Sequence, residues 1–235
     1  MTHDRRPITG VRVTGKRAKL VRGAPRQELN ERTAKRAGKR AEKRGEARAE
    51  MRGDKRSDVW LFAYGSLMWE RDFPHLEARP ALLTGFRRAF CIYSHVYRGT
   101  SERPGLVLGL LRGGSCRGIA FRLDAREAEL TLRAIDEREM VTGVYAPRFL
   151  PVTLLATPAT HARRVKAYAF VADPKHTQFA GALPLSRQAE LIREAAGSRG
   201  TACAYLEDTL KHLRAHGVRD AELERVRSLV LINGS

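Results

Sequence analysis

Long apolar segments are absent from this chain of 235 residues. No run approaches the roughly 18 apolar residues that a membrane-spanning helix requires, so no membrane partner is expected. The charges at the N-terminus are not followed by an apolar stretch, and we therefore expect no secretory signal. Cysteine is also scarce, with three residues far apart and no Cys-x-x-Cys pair. This scarcity argues against a disulfide framework or a thiolate zinc site, and it predicts a cytoplasmic protein.

Several familiar motifs are missing too. The sequence contains no Gly-x-x-x-x-Gly-Lys-Ser/Thr loop, no Gly-x-Gly-x-x-Gly after a strand and no Gly-x-Ser-x-Gly elbow, so nucleotide binding and serine hydrolysis of the usual kinds have no support. His212 and His216 lie four residues apart on a predicted helix, a spacing that suits a metal ion, but no third ligand is obvious. The alternative is a pair of exposed histidines at a helix C-terminus, where positive charge is favourable.

Positive charge dominates the composition and is concentrated at one end. Lysine and arginine number 44 against 26 acidic residues, a formal net charge of +18. Residues 1–57 carry +12 of this charge and contain no phenylalanine, tryptophan or tyrosine. With almost no large apolar side chains to bury, they are predicted to form a basic extension, helical or disordered. Two other interpretations are open: an arm that contacts nucleic-acid phosphates without reading bases and, against its acidic content, a transit peptide.

The residue pattern changes at position 58, and residues 58–235 are predicted to form the folded domain. Val59 to Tyr64 is a short apolar run ended by Gly65-Ser66, which is typical of a buried strand that enters a tight turn. A helix is predicted from an N-cap at Asp124 through about Glu139. Further strands are predicted over 82–93, 106–112, 117–123, 145–156 and 163–171, with a hairpin turn at 113–115.

Helices dominate the last third of the chain, with predicted ranges of 186–196, 201–216 and 220–231. Ser186 and Thr201 are predicted to cap the first two helices, and Gly197 and Gly217 follow their ends. Strands interrupted by one helix and then followed by several helices indicate an α+β fold. Such a fold contains a sheet or barrel and lacks alternating βαβ units.

The turn Tyr64-Gly65-Ser66-Leu67 is the first of two features that suggest chemistry. A glycine at this position is expected to let backbone N–H groups turn outward and approach a carboxylate or an oxyanion closely. Many strands end in Gly-Ser, so the turn alone is weak support for a ligand site.

Glu139 is the second feature. Counted at about 100° per residue, Ala128, Leu132, Ile135 and Glu139 share one stripe of the predicted helix, and its other carboxylates fall off that stripe. Periodicity therefore directs Glu139 toward the core. Either it pairs with a neighbouring arginine or lies past the helix end, or its pKa is raised, as a general base at neutral pH requires.

Five stretches of the domain follow the order of one known family. They are Val-Trp-Leu-Phe-Ala-Tyr-Gly-Ser-Leu-Met-Trp at 59–69, Tyr-Arg-Gly-Thr-Ser-Glu-Arg-Pro-Gly-Leu-Val-Leu-Gly-Leu at 97–110, Gly-Gly-Ser-Cys-Arg-Gly-Ile-Ala-Phe at 113–121, Arg-Glu-Met at 138–140 and Tyr-Leu at 205–206. With them the sequence resembles the ChaC-type, glutathione-specific γ-glutamylcyclotransferases. Residues 1–57 lie outside this resemblance.

The resemblance implies a small mixed β-barrel surrounded by helices. It also implies an enzyme that cleaves glutathione into 5-oxoproline and cysteinylglycine without a metal or organic cofactor. In the family, Tyr64, Gly65, Ser66 and Leu67 would hold the γ-glutamyl group, and Glu139 would be the catalytic carboxylate. Two alternatives stay open: cyclisation of other γ-glutamyl peptides or amines, and a non-catalytic binding protein that acts through its basic extension.

The implied reaction needs a base and contacts for an anionic substrate. The substrate's α-amine attacks its own γ-carbonyl, so a base must first remove a proton from that amine. Arg98 and Arg117 are candidate contacts for the glycine end, or else surface charges. Tyr145 and Tyr205 either donate hydrogen bonds to the substrate or anchor their own hydroxyls in the core.

Overall fold

The computed structural model of this protein describes residues 59–232. The predicted basic extension, its boundary at residue 58 and its proposed nucleic-acid contacts therefore lie outside the described residues. Five strands of the described part close into a barrel in the order β1-β3-β2-β4-β5. They are β1 (Val59–Ala63), β2 (Glu77–Ser94), β3 (Gly105–Leu123), β4 (Tyr145–Leu154) and β5 (Arg163–Ala172).

The barrel is mixed, as expected. β1 and β5 run parallel where they meet, and the other neighbouring strands are antiparallel. The continuous apolar run of β1 is explained by burial on both faces, because Trp60, Leu61, Phe62 and Ala63 are all buried. This buried strand delivers the turn that follows it to the interior of the molecule.

The predicted hairpin turn at 113–115 is wrong. These residues lie inside the 19-residue strand β3, which pairs along its length with β2. Gly113 and Gly114 have φ angles of 93° and 71°, and Gly85 opposite them has 88°. The register shifts between Thr84 and Phe86 at this point, so the glycines form a bulge in a long hairpin. The real connection between the two strands is the segment 95–104.

Four helices surround the barrel: α1 (Ala128–Glu139), α2 (Leu185–Glu194), α3 (Ala202–Ala215) and α4 (Ala221–Ile232). Thr201 caps α3 as predicted, since its Oγ1 accepts a hydrogen bond from Ala204 N at 3.0 Å. Asp124 and Ser186 are not the N-caps. Asp124 instead closes a turn before α1, and α2 begins after Pro184. No helix within residues 59–232 is long and apolar enough to cross a membrane.

A two-stranded hairpin, β6 (Ala196–Gly197) and β7 (Gly200–Thr201), joins α2 to α3. It packs on the segment after β2, where Arg199 N donates to the Tyr97 carbonyl at 3.0 Å. A Cβ on Gly197 would lie 2.6 Å from the backbone of Tyr97 and Gly99, so only glycine permits this approach. The contact brings Arg98 and Arg199 to the same mouth of the barrel.

Candidate active site

The turn after β1 forms the floor of a small inner cavity of about 40 Å³. A single 3₁₀ turn over Ser66–Met68 follows Gly65, and Met68 N donates to the Gly65 carbonyl at 2.9 Å. The backbone N–H groups of Gly65, Ser66 and Leu67 have no acceptor within residues 59–232. All three residues line the cavity, so these donors are available to a bound group.

Gly65 contributes space to this cavity. A Cβ there would lie 3.7 Å from Leu108 Cδ1 and 4.0 Å from Tyr205 Oη, in the floor of the cavity. The missing side chain keeps that floor open.

Three tyrosines form the walls of the inner cavity. Tyr64 Oη donates to the Phe170 carbonyl at 2.8 Å, and Tyr145 Oη donates to the Leu108 carbonyl at 2.7 Å. Burial raises the pKa of both hydroxyls and that of Tyr205, so all three stay protonated. Because Tyr64 and Tyr145 give their only proton to the backbone, their oxygens can only accept a hydrogen bond from a ligand.

Glu139 is the last residue of α1 and faces the cavity with a side chain only 19% exposed. The predicted stripe is confirmed, since Ala128, Leu132 and Ile135 are buried beneath the helix. Burial raises the pKa of Glu139 and the Glu70 carboxylate raises it further, whereas the Arg138 and Arg199 guanidiniums oppose the rise. The nearest of these cations, Arg138, lies 3.3 Å from Glu139 Oε1 through its Nε.

Glu139 is not the only carboxylate of α1 that points inward, contrary to the prediction. Asp136 is 4% exposed and accepts a hydrogen bond from Tyr168 Oη at 2.7 Å. A buried carboxylate satisfied in this way has a structural explanation, and Asp136 lines neither cavity.

A larger outer cavity of about 140 Å³ adjoins the inner one. Ser66, Glu139, Tyr145 and Tyr205 line both cavities, so Glu139 lies where the two meet. Of the residues predicted for the site, the structure brings all but one together at these two cavities, with Arg98 on the outer side. Arg117 is the exception, because it is exposed over a separate depression.

Three charged residues of the site were missed in the sequence. Arg138 is held by Glu70, with Nη2 2.6 Å from Glu70 Oε2. Arg199 lies over the Tyr97 ring at 4.6 Å and lines the outer cavity. Arg138 adjoins Glu139 in the chain, a usable signal, whereas Glu70 and Arg199 reach the site only through the fold.

The cations of the outer cavity differ in their partners. Arg138 is already paired with carboxylates. The Arg98 guanidinium lies over the Tyr205 ring at 5.1 Å and donates to the Arg199 carbonyl at 2.6 Å. Within residues 59–232, neither Arg98 nor Arg199 has a carboxylate within 4.0 Å. These two are the cations available to an anionic ligand.

His212 on α3 and His216 just after it line neither cavity. The His212 ring stacks on Trp69 with centroids 4.6 Å apart. Among the residues that the structure describes, no three His, Cys, Asp or Glu side chains are grouped as a metal site would require.

Together these groups can move a proton and bind two anions. A half-buried carboxylate with a raised pKa is suited to act as a base near neutral pH. The N–H groups in the inner cavity can bind a carboxylate or a developing oxyanion. The Arg98 and Arg199 guanidiniums of the outer cavity can bind a second carboxylate.

Comparison with known proteins identifies the family. Residues 59–233 match the family model described as ChaC-like protein, so the chain belongs to the ChaC-like family. A glutathione-specific γ-glutamylcyclotransferase of Escherichia coli strain K12 is 36% identical over 162 residues, 69% of this chain and 68% of that protein. Human glutathione-specific γ-glutamylcyclotransferase 1 is 31% identical over 150 residues, 63% of this chain and 66% of that protein.

The fold is shared with a solved structure as well. The crystal structure of a yeast γ-glutamyl cyclotransferase specific to glutathione superposes with a TM-score of 0.67 at 18% identity. The match covers 75% of this chain and 96% of the yeast one. The resemblance inferred from the sequence and the barrel it implied are thereby confirmed.

Proposed function

We propose that this protein is an enzyme that cleaves glutathione by cyclising its γ-glutamyl group, releasing 5-oxoproline and cysteinylglycine. The observation that carries the proposal is the position of Glu139 at the junction of a small inner cavity and a cationic outer one. A scissile bond placed at this junction puts the γ-glutamyl group inside and the leaving dipeptide outside. The names of the relatives agree with this substrate.

The inner cavity suits the γ-glutamyl group. The N–H groups of Gly65, Ser66 and Leu67 bind its α-carboxylate or the γ-carbonyl oxygen, both of which are acceptors. The oxygens of Tyr64 and Tyr145 accept from the α-amine, because their protons are given to backbone carbonyls. Tyr205 completes the wall of this cavity, with its Oη 4.0 Å from where a Cβ on Gly65 would lie.

Glu139 acts as the base. It removes a proton from the α-ammonium, and the amine nitrogen then forms a bond to the γ-carbonyl carbon to close a five-membered lactam. The C–N bond to cysteine breaks next, and the protonated Glu139 gives its proton to the departing nitrogen. The ring nitrogen still carries one proton too many, which passes through the Glu139 carboxylate to the departing amine, so the products are a neutral lactam and a dipeptide ammonium. Both reacting groups belong to one molecule, so holding the substrate in a folded shape supplies much of the rate.

The outer cavity suits the dipeptide. Arg98 and Arg199 are the cations there without a carboxylate partner among the described residues, and we propose that they face the glycine carboxylate. Other γ-glutamyl peptides would fit the same cavity if they carry a carboxylate in the place of the glycine carboxylate of glutathione. γ-Glutamyl amines lack that carboxylate, and their turnover relative to glutathione measures how much Arg98 and Arg199 contribute.

We further propose that the enzyme works in the cytoplasm, where glutathione is abundant and reduced. Cys91, Cys116 and Cys203 are all free thiols, which agrees with a reducing compartment. Localisation of the tagged full-length chain tests this proposal.

The decisive experiment is turnover of glutathione by the purified protein and by Glu139→Gln. Loss of a general base is expected to lower kcat by about 10²- to 10⁴-fold with the fold intact. Glu137→Gln, on the same helix with a side chain 75% exposed, is the matched control and should retain full activity. A folded Glu139→Gln variant with normal kcat would remove Glu139 from the mechanism.

The nature of the products tests cyclisation itself. Glutathione with an acetylated α-amine should not be cleaved, because the nucleophile is blocked. Release of free glutamate in place of 5-oxoproline would show hydrolysis by water and would contradict the proposal.

A further inference from the structure

Arg88, on β2, is a buried arginine whose three nitrogens contact three different segments. It is 3% exposed. Its Nε donates to the Tyr64 carbonyl at 2.6 Å, its Nη2 to the Arg117 carbonyl at 2.6 Å, and its Nη1 to Asp220 Oδ2 at 2.9 Å. A guanidinium fully partnered in this way has one fixed orientation, because its donors form a rigid planar fork.

The contact with Tyr64 fixes the peptide that enters the substrate turn. No peptide bond within residues 59–232 is cis, so the Tyr64 carbonyl and the Gly65 N–H point in opposite directions. Arg88 lies outside both cavities of the site and instead lines the depression that contains Asp220 and Arg117. Holding the carbonyl toward Arg88 therefore directs the Gly65 N–H to the other side, where Gly65 lines the inner cavity.

We infer that Arg88 is a positioning residue that orients the Gly65 N–H toward the γ-glutamyl group, with Asp220 holding Arg88 in place. This inference rests on the proposed function. Gly65 N–H has no acceptor among the described residues, as a donor reserved for substrate requires. Arg88 never touches the substrate and acts only through the peptide between Tyr64 and Gly65.

Asp220 extends this contact to a helix. It precedes α4, where its Oδ1 accepts from Leu223 N at 3.3 Å while Oδ2 pairs with Arg88. One carboxylate thus caps α4 and neutralises a buried cation, which would be costly if left unpaired. The turn that binds substrate is therefore linked through Arg88 to the start of the last helix.

The test compares Arg88→Lys with Arg79→Lys in the full-length protein. A lysine keeps the charge but cannot reproduce the fork that reaches three partners. Arg79 is a matched control, because it is also buried on β2 and donates to backbone carbonyls, those of Leu155 and His161, away from the site. For each variant we would measure kcat/KM for glutathione, thermal unfolding, and inhibition by 5-oxoproline and by cysteinylglycine.

We expect Arg88→Lys to lower kcat/KM about tenfold or more, since small misplacements in a site carry costs of that size. Inhibition by 5-oxoproline should weaken, and inhibition by cysteinylglycine should not, because only the former contacts the turn. Arg79→Lys should leave both inhibition constants unchanged in the folded protein. Equal weakening of both inhibitors by Arg88→Lys, or no change in either, would overturn the inference.

A readout independent of turnover separates this inference from the proposed function. In protein labelled with ¹⁵N-glycine, the Gly65 amide resonance, assigned with Gly65→Ala, should shift on addition of 5-oxoproline, and the shift should be lost in Arg88→Lys. An unchanged shift would overturn the inference even if the wild-type protein proved inactive on glutathione. If Arg88→Lys does not fold, Asp220→Asn serves in its place, because it keeps the Arg88 guanidinium and the cap of α4. This variant should reduce the shift of the Gly65 resonance caused by 5-oxoproline. A shift equal to that of the wild type would overturn the inference.

Discussion

Arg138 moderates the rise that burial causes in the pKa of Glu139. Its guanidinium lies near three carboxylates, Glu70 at 2.6 Å, Glu139 at 3.3 Å and Asp72 at 3.8 Å. Burial raises the pKa of Glu139, and Arg138 is the first of the two cations that oppose the rise. Glu70 fixes Arg138 in this position while itself favouring the protonated form of Glu139. Burial and Glu70 thus raise the pKa of Glu139, and Arg138 and Arg199 bring it part of the way back.

Replacing Arg138 should move the pH dependence of the reaction in a defined direction. The active form of Glu139 is deprotonated, so kcat/KM falls as the pH drops through its pKa. Arg138→Met removes a cation that lowers this pKa, and the acid limb should therefore move to higher pH. Arg133→Met on the same helix, where Arg133 lies 3.8 Å from the exposed Glu137, is the control and should leave the limb in place. An unchanged limb in Arg138→Met would separate Arg138 from the titration of the base.

Gly65 permits a direct test of the space in the inner cavity. A Cβ there would make only ordinary contacts, 3.7 Å from Leu108 Cδ1 and 4.0 Å from Tyr205 Oη. Gly65→Ala should therefore fold, yet lose about tenfold or more in kcat/KM because the methyl group occupies substrate space. Thermal unfolding checks that the variant folds, and steady-state kinetics measure the loss in kcat/KM. Normal kinetics in the alanine variant would show that the γ-glutamyl group does not lie on Gly65.

At the scale of elements, α1 is fixed to the barrel by a buried hydrogen bond one turn before Glu139. Tyr168 on β5 donates to Asp136 at 2.7 Å, and the Tyr168 ring packs against Phe149 and Phe170 at 5.3 and 5.6 Å. The apolar stripe alone would let the helix slide or rotate slightly on the barrel. A directional bond to a buried carboxylate specifies its position, and with it the position of the base.

Tyr168→Phe should destabilise the protein by about 1–3 kcal/mol, the usual range for removing a donor from a buried charged acceptor. Phenylalanine keeps the ring contacts of Tyr168 and leaves no cavity. The decrease in the free energy of unfolding therefore measures the contribution of the hydroxyl alone. Chemical unfolding of the two proteins measures the difference. A free energy of unfolding equal to wild type would mean that the hydroxyl contributes nothing to docking α1.

Local sequence signals predicted those elements whose cause is local. The apolar run from Val59 predicted β1 to within one residue of its end at Ala63, and Thr201 predicted the start of α3. The glycines at 113–114 misled because positive φ serves a bulge as well as a turn, and only the unbroken partner strand β2 decides between them. Asp136 was placed off the stripe because periodicity ignores the partner that a polar side chain meets, here Tyr168.

At the scale of the whole molecule, the site joins segments that are distant in the chain. Glu139 could be singled out from the spacing on one helix, and the Tyr64–Leu67 turn from one strand end. The pairing of Arg98 with Arg199 at the outer cavity could not be predicted from the sequence. These residues meet only because the β6–β7 hairpin packs against the segment that contains Tyr97. The described residues thus hold a closed barrel, its core and every group that we propose for catalysis.

Removal of residues 1–57 should therefore leave turnover of glutathione nearly intact. The segment contains no aromatic residue and almost no large apolar side chain, so it has little to add to a core. Its net charge of +12 attracts anions, but at physiological salt a Debye length of about 8 Å screens most of any effect on glutathione capture. The measurement is kcat/KM for the full-length and shortened proteins at low and at physiological salt.

Retention of nucleic acid by the same two proteins tests the other predicted role of this segment. Removal lowers the formal net charge from +18 to +6. Any non-specific binding of RNA or DNA by the full-length protein should fall with it, and it should also weaken steeply with added salt, because such binding comes from counterion release. Equal retention by both proteins would assign the binding to the barrel domain. A shortened protein that is folded but inactive on glutathione would instead place part of residues 1–57 in the active site and move the domain boundary toward the N-terminus.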